Sequence, residues 1–148
     1  MERPFHIIIP DRQEWISSKD RLLEGPCWYT DGSKTAKGVG AGVYGRGAAK
    51  EQSMCLGGNA TIFQAEIFAI DHCANLLLAG GLTNRSIKIL TDSQAALKAL
   101  ASDTCALLMV QECHSTLAKL GGRSRLRLIW VPGHSGIEGN EKADSFAA

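Results

Sequence analysis

Glu66 is the residue whose position points most directly to chemistry. The sequence predicts a helix over residues 61–79. At about 100° per residue, Ile70 and Cys73 lie within roughly 60° of Glu66, so the carboxylate stands in the middle of the apolar stripe. An isolated ionised carboxylate there would cost several kcal/mol, so it must change its pKa, pair with a cation or bind a metal. A buried pair with Lys or Arg is the alternative interpretation.

Two further carboxylates follow predicted strands in similar tetrapeptides. Asp31 stands in Thr-Asp-Gly-Ser after a predicted strand at 27–30, and Asp92 stands in Thr-Asp-Ser-Gln after a predicted strand at 87–91. If these strands pair in parallel, both carboxylates leave the same end of the sheet, where the ligands of α/β proteins gather. The alternatives are a turn for Asp31, which precedes a glycine, and a helix N-cap for Asp92.

A glycine-rich loop and a short helix near residue 140 supply the remaining candidates. His134 lies in the loop, and Asn140 and Asp144 stand one helical turn apart, so they share a helix face. The alternatives are a solvated histidine and an aspartate that only offsets the helix dipole.

Carboxylates that converge on one sheet edge repel one another unless divalent cations neutralise them. Ligation by oxygen alone favours hard ions, Mg²⁺ or Mn²⁺, over zinc. Two such ions, about 3.5 to 4 Å apart, can activate a water and stabilise the leaving oxygen of an in-line phosphoryl displacement. The sequence therefore predicts phosphodiester hydrolysis, with four candidate ligands: Asp31, Glu66, Asp92 and Asp144.

A mixed sheet must position these residues. Three short strands with glycine-rich turns precede a helix, a strand, two helices, a strand and a final helix. The order β-β-β-α-β-α-α-β-α predicts an α/β fold with a five-stranded mixed sheet and helices on both faces. Residues 1–24 show no sustained period and are interpreted as a linker or the remnant of a preceding domain, which leaves residues 25–148 as the catalytic domain. The predicted strands are 27–30, 40–44, 52–56, 87–91 and 126–131, and the predicted helices are 61–79, one from about 93, 105–120 and one from about 140.

Length and composition bound the class of protein. A chain of 148 residues with 45% hydrophobic residues suits one domain whose core needs no disulfide or structural metal. The five cysteines form no Cys-x-x-Cys pair, so they are interpreted as reduced core residues. A net charge of +1 excludes a basic nucleic-acid arm and an acidic disordered tail. No run of membrane-span length and no signal peptide is predicted, so we expect a soluble, intracellular protein.

From about residue 28 onward, the sequence resembles type 1 ribonucleases H, and especially the ribonuclease H domains of non-LTR retrotransposon polyproteins. The resemblance rests on Trp-Tyr-Thr-Asp-Gly-Ser at 28–33, Gln-Ala-Glu at 64–66, Leu-Thr-Asp-Ser-Gln at 90–94 and the segment 130–144, which opens with Trp-Val-Pro-Gly-His-Ser-Gly. It implies a ribonuclease H-like fold and endonucleolytic hydrolysis of the RNA strand of an RNA/DNA hybrid, leaving a 5′-phosphate. It also implies fusion to, or cooperation with, a reverse transcriptase, and we expect the isolated domain to be monomeric.

The resemblance assigns roles to individual residues. It implies that the four carboxylates hold two Mg²⁺ ions, for which Mn²⁺ can substitute, and that His134 assists proton transfer or product release. The expected substrate contacts are Gly32, Ser33 and Gln94 with the RNA strand, Asn140 near the hybrid and Thr61 with a DNA phosphate.

The chain departs from bacterial members of that family between residues 100 and 120. This segment leaves no room for their basic handle, so we expect low affinity of the isolated domain for the hybrid. A basic group at 119–127 either compensates for this loss or is a solvated turn. Two other functions stay open, a catalytically silent binding module with the same fold and a DNA strand-transfer enzyme of the integrase type.

Overall fold

The computed structural model describes residues 5–35, 38–46, 50–57, 60–81 and 83–133. The elements, in chain order, are β1 (His6–Ile8), α1 (Arg12–Leu22), β2 (Cys27–Thr35), β3 (Gly38–Arg46), β4 (Lys50–Gly57), α2 (Ile62–Ala79), β5 (Ser86–Thr91), α3 (Gln94–Ala101), α4 (Leu108–Arg123) and β6 (Arg125–Trp130).

One mixed sheet organises these elements, with the strand order β1-β6-β5-β2-β3-β4. Strands β2, β3 and β4 form the predicted antiparallel meander, while β1, β6, β5 and β2 pair in parallel. The α/β class and the mixed sheet are therefore confirmed. In the described part of the chain the sheet has six strands rather than the five predicted, because β1 adds an edge strand to β6.

Strand β1 and helix α1 lie in the segment that the sequence analysis interprets as a linker. With only three residues, β1 is too short to show a period, and α1 contains no fully buried residue, so neither gives a clear pattern. A capping box does mark the start of α1: Glu14 N donates to Asp11 Oδ1 over 2.8 Å, and Asp11 N donates to Glu14 Oε1 over 3.2 Å. The domain boundary near residue 24 stays a prediction.

Two apolar clusters lie on opposite faces of the sheet, because successive side chains of a strand point to opposite faces. Trp28 of β2 belongs to the larger cluster, to which α2, α3 and α4 all contribute buried residues. Its neighbours Cys27 and Tyr29 belong to the smaller cluster, against which Trp15 and Leu22 of α1 pack. Helices therefore cover both faces, as predicted, and α1 covers the second face.

Helix α2 is the main core helix. It begins after Thr61, whose side chain accepts a hydrogen bond from Gln64 N over 3.0 Å, and Gly81 follows its end with a φ of 70°. By length and composition α2 could cross a membrane, which corrects the expectation that no segment reaches that length. Because it buries a carboxylate and packs on β2 and α4, we assign it to the protein core.

The predicted bounds of two elements, β2 and α4, are wrong. Strand β2 continues beyond Thr30 to Thr35 because β3 pairs with it along the whole length. Helix α4 begins at Leu108 rather than Cys105 and continues past residues 121–122 to Arg123, so the glycine pair does not end it. The helix predicted from about residue 140 lies outside the described residues.

Candidate metal centre

The parallel pairing of β2 with β5 brings Asp31 and Asp92 together. The last pair of this ladder is Thr30 with Thr91, so each aspartate is the next residue beyond it. Thr30 Oγ1 donates to the Leu90 carbonyl oxygen over 3.4 Å, a buried contact that ties the two strands just before the aspartates. Because parallel strands run in the same direction, both carboxylates occur at the same end of this ladder.

Asp31 lies inside β2 rather than at the tip of a strand. Strand β3 continues to pair beyond it, with Asp31 opposite Gly42, and the aspartate is buried. Gly32 N donates to Asp31 Oδ1 over 3.0 Å, a buried hydrogen bond that orients the carboxylate. The turn interpretation of Asp31 is therefore wrong.

Asp92 does not cap helix α3. The N-cap is Ser93, whose Oγ accepts a hydrogen bond from Ala96 N over 3.1 Å. Trp130 at the end of β6 holds the backbone of Asp92, since its indole Nε1 donates to the Asp92 carbonyl oxygen over 3.2 Å. The N-cap interpretation is therefore wrong. The carboxylate of Asp92 is half-buried and does not cap the helix.

Glu66 reaches the same edge because α2 lies unusually close to β2. A Cβ atom at Gly32 would be 2.6 Å from Glu66 N and 2.7 Å from Ala65 Cβ, distances that real side-chain carbons do not tolerate. Only glycine at position 32 permits this approach. Glu66 is thereby held with just 5% of its surface exposed, beside the strand that carries Asp31.

The three carboxylates form a compact cluster. One oxygen each from Asp31, Glu66 and Asp92 lie within 4.8 Å of one another. Like charges at this separation repel by a few kcal/mol each, even at an effective dielectric constant of about 20. The Oε2 atom of Glu66 is also buried and accepts no hydrogen bond from a described residue. The donors are all carboxylate oxygens, so the site fits a hard divalent cation such as Mg²⁺ or Mn²⁺.

The sequence model of one protein family, described as RNase H, matches residues 24–148. The chain belongs to the RNase H family. Membership supports ribonuclease H activity on an RNA/DNA hybrid and the use of divalent metals, and the acidic cluster of this ribonuclease H fits that use.

Four of the substrate-contact residues predicted for the ribonuclease H lie in the described part of the chain. Gly32 and the half-buried Ser33 are consecutive residues of β2, and Gln94 is the first residue of α3. Thr61 caps α2, and its hydroxyl oxygen accepts the Gln64 amide hydrogen, so the hydroxyl hydrogen remains for donation to a phosphate. His134, Asn140 and Asp144 lie outside the described residues.

Two residues that the sequence analysis did not assign to the site support Asp92 of this ribonuclease H. Trp130 binds the Asp92 backbone, and a Cβ atom at Gly133 would be 2.7 Å from Asp92 Oδ2. Both belong to the Trp-Val-Pro-Gly segment that ends the last strand. The resemblance marked this segment, but nothing in the sequence showed that it contacts Asp92, which lies 38 residues from Trp130.

Proposed function

We propose that this ribonuclease H is an endonuclease that hydrolyses the RNA strand of RNA/DNA hybrids by a two-metal mechanism and leaves a 5′-phosphate. The observation that supports this most directly is the approach of Asp31, Glu66 and Asp92 to within 4.8 Å at one end of the β2–β5 ladder. A binding module without catalysis would gain nothing from clustered carboxylates that repel one another. Membership of the RNase H family supports the RNA/DNA hybrid as the substrate.

The proposed ligands of the two Mg²⁺ ions are Asp31, Glu66, Asp92 and Asp144, and Mn²⁺ can replace Mg²⁺. When bound, the ions supply water activation and charge stabilisation of the leaving oxygen. We assign proton transfer or product release to His134.

The chain's own contacts pre-organise the described part of this site. Burial keeps Asp31 and Glu66 away from bulk water, and the amide of Gly32 orients the Asp31 carboxylate through a bond of 3.0 Å. Trp130 fixes the backbone of Asp92. The carboxylates therefore need little rearrangement when cations bind, which is the condition for efficient electrostatic stabilisation.

Recognition of RNA requires groups that contact 2′-hydroxyls. We propose that Gly32, Ser33 and Gln94 contact the RNA strand, since each lies within two residues of Asp31 or Asp92 in the chain. Thr61, at the exposed start of α2, is proposed to bind a phosphate of the DNA strand, and Asn140 is proposed to lie near the hybrid.

The biological context that we propose is an intracellular retroelement enzyme, in which this domain is fused to or cooperates with a reverse transcriptase and degrades template RNA. Two features support this context. The first is the sequence Trp-Val-Pro-Gly-His-Ser-Gly at 130–136. The second is the connection 102–107 between α3 and α4, which contains no Lys or Arg. Sequencing the transcript that encodes the chain tests this context. We expect a reverse transcriptase reading frame in the same transcript, and a complete transcript without one would remove the retroelement assignment.

Hydrolysis is tested with end-labelled RNA/DNA hybrid, duplex DNA and single-stranded RNA, each incubated with Mg²⁺, with Mn²⁺ or with EDTA. We expect cleavage of the hybrid only, with either metal, and a loss of at least roughly 100-fold in Asp92→Asn. Asp20→Asn is the matched control, because Asp20 is an exposed aspartate of α1 outside the cluster.

Each alternative predicts a different result. Equal cleavage by the protein and by Asp92→Asn would indicate a contaminating nuclease and would reject the proposal. Cleavage or joining of duplex DNA without cleavage of the hybrid would favour strand transfer. Calorimetry that detects no binding at millimolar Mg²⁺ would favour the silent binding module.

A further inference from the structure

A basic cavity lies at the end of the sheet opposite the carboxylate cluster. Its volume is about 530 Å³, and two segments line it, residues 84–86 at the start of β5 and residues 121–125 where α4 leads into β6. Asp92 follows the other end of β5. At about 3.3 Å per residue, the length of β5 places the cavity roughly 20 Å from the cluster.

Backbone hydrogen bonds join the two walls of the cavity. Asn84 N donates to the Arg123 carbonyl oxygen over 2.8 Å, and Arg125 N donates to the Arg85 carbonyl oxygen over 2.8 Å. Arg85 N also donates to Ser124 Oγ over 3.4 Å. Asn84 has a φ of 55°, a left-handed conformation that asparagine adopts more readily than most residues. The backbone therefore fixes the positions from which the arginine side chains extend.

The lining of the cavity is complementary to an anion. Among the residues that the structure describes, the lining contains Arg85, Arg123 and Arg125 but no acidic residue. Within the described ranges, none of these three arginines forms an ion pair with a carboxylate. Each guanidinium presents five N–H donors in a planar fork that matches the oxygens of a phosphate, and the serine hydroxyls add neutral donors.

We propose that this cavity binds a backbone phosphate of the nucleic-acid substrate, at a distance from the cleaved bond. The identity of the ligand rests on the proposed function, which supplies a polyanion as substrate. For a duplex whose axis runs along the direction of β5, successive phosphates of a strand are about 3.4 Å apart, so a span of roughly 20 Å corresponds to about six base pairs. The cavity offers a second anchoring point in a chain whose α3–α4 connection carries no basic residue.

The test measures hybrid binding by fluorescence anisotropy in the Asp92→Asn background, where cleavage is blocked. Arg85→Gln/Arg125→Gln removes two guanidiniums from the cavity. We expect affinity for an 18-base-pair hybrid to fall about tenfold at 100 mM salt, and the slope of log K against log salt to decrease by about 1 per lost contact. A hairpin-closed hybrid of four base pairs, whose phosphates span only about 10 Å and cannot reach both sites, should show little change.

Two further proteins sharpen the comparison. Arg12→Gln/Lys19→Gln removes the same charge from the exposed surface of α1, outside the cavity, and should bind the long hybrid almost unchanged. Gly122→Glu places a carboxylate in the cavity, where a Cβ atom meets nothing within 4 Å, and should weaken binding like the double arginine variant. Thermal unfolding of each variant verifies that the fold is retained.

The possible outcomes separate this proposal from the proposed function. Equal affinity of the two double variants for the long hybrid would overturn the proposed phosphate site in the cavity, even if the unmodified enzyme cleaves hybrids. Inorganic phosphate that shifts the amide resonances of Ser86 and Ser124, with no change in hybrid affinity between variants, would identify a free-phosphate site and also overturn it. Failure of the unmodified protein to cleave any hybrid, with hybrid binding that still depends on the arginines, would reject the proposed function alone.

Discussion

The backbone of Gly32 lies so close to that of Glu66 that a Cβ atom at position 32 would be 2.6 Å from the Glu66 nitrogen. Glu66 begins the second turn of α2, and Gly32 follows Asp31 in β2. The separation of helix and strand therefore sets the distance between two carboxylates of the cluster. This dependence makes a residue without a side chain a structural determinant of the acidic site.

Gly32→Ala should destabilise the protein and disrupt the cluster together. The added methyl group meets backbone atoms of α2, which cannot move away as a flexible side chain can, so we expect a loss of about 1–3 kcal/mol in the free energy of unfolding. Urea unfolding measures this loss, and hybrid cleavage should fall as well. Gly122→Ala is the matched control, because its methyl group meets open space in α4 and should stabilise the helix by about 0.5–1 kcal/mol. Equal stability of Gly32→Ala and the unmodified protein would contradict the close approach.

Gly133→Ala should separate activity from stability. Here the added methyl group meets the end of the Asp92 side chain, with 2.7 Å to Oδ2, and that side chain can rotate away. We expect a change of less than about 1 kcal/mol in the free energy of unfolding. Calorimetry should show that Mg²⁺ binds about tenfold more weakly, since the displaced carboxylate would no longer complete the cluster. Unchanged Mg²⁺ affinity would show that the position of Asp92 does not depend on Gly133.

Asp92→Asn should stabilise the metal-free protein although it abolishes cleavage. It removes one of three like charges within 4.8 Å, and because Asp92 is only half buried we expect a gain of about 1 kcal/mol in EDTA. In the unmodified protein, Mg²⁺ should raise the melting temperature with the logarithmic concentration dependence of ligand binding. Asp20→Asn in α1 should change neither quantity measurably. A loss of stability in Asp92→Asn without metal would indicate that another group of the protein already balances the negative charge of Asp92.

Buried thiols should make the protein less stable in alkali. Burial raises the pKa of Cys73 and Cys113 well above the ordinary value of 9.0, and the charge of Asp71 adds to the effect at Cys113. Both thiols stay protonated in the folded state and ionise once unfolded, so stability is complete below pH 9 and falls as pH rises further. The expected slope approaches about 1.4 kcal/mol per pH unit for each thiol. Urea midpoints at pH 8, 9 and 10 measure it.

The matched control for the alkaline effect is Cys105, which is only half buried. Cys73→Ala/Cys113→Ala should flatten the pH dependence between 8 and 10, whereas Cys105→Ala should leave it unchanged. The same steep decline in all three proteins would assign the effect to other groups.

Local patterns determined much of this protein from sequence alone. The apolar stripe of α2, its N-cap at Thr61 and the apolar runs before Asp31 and Asp92 depend on neighbouring residues, so the order of the elements from β2 to β6 and three candidate carboxylates could be predicted. The sequence pattern was weak in two elements: β1 has only three residues, and α1 has no fully buried residue. The sequence analysis predicted neither element, because β1 forms only by pairing with the distant strand β6 and α1 lacks a fully buried face.

Only the tertiary structure decided how these parts meet. Strand β2 continues past Asp31 because β3 pairs with it. Glu66 is buried beside β2 because Gly32 has no side chain. The backbone of Asp92 is held by a hydrogen bond from Trp130. The arginine cavity likewise joins residues 84–86 with residues 121–125. Periodicity reports which face a side chain takes along its own element, but the distance between two elements depends on packing between residues far apart in the chain.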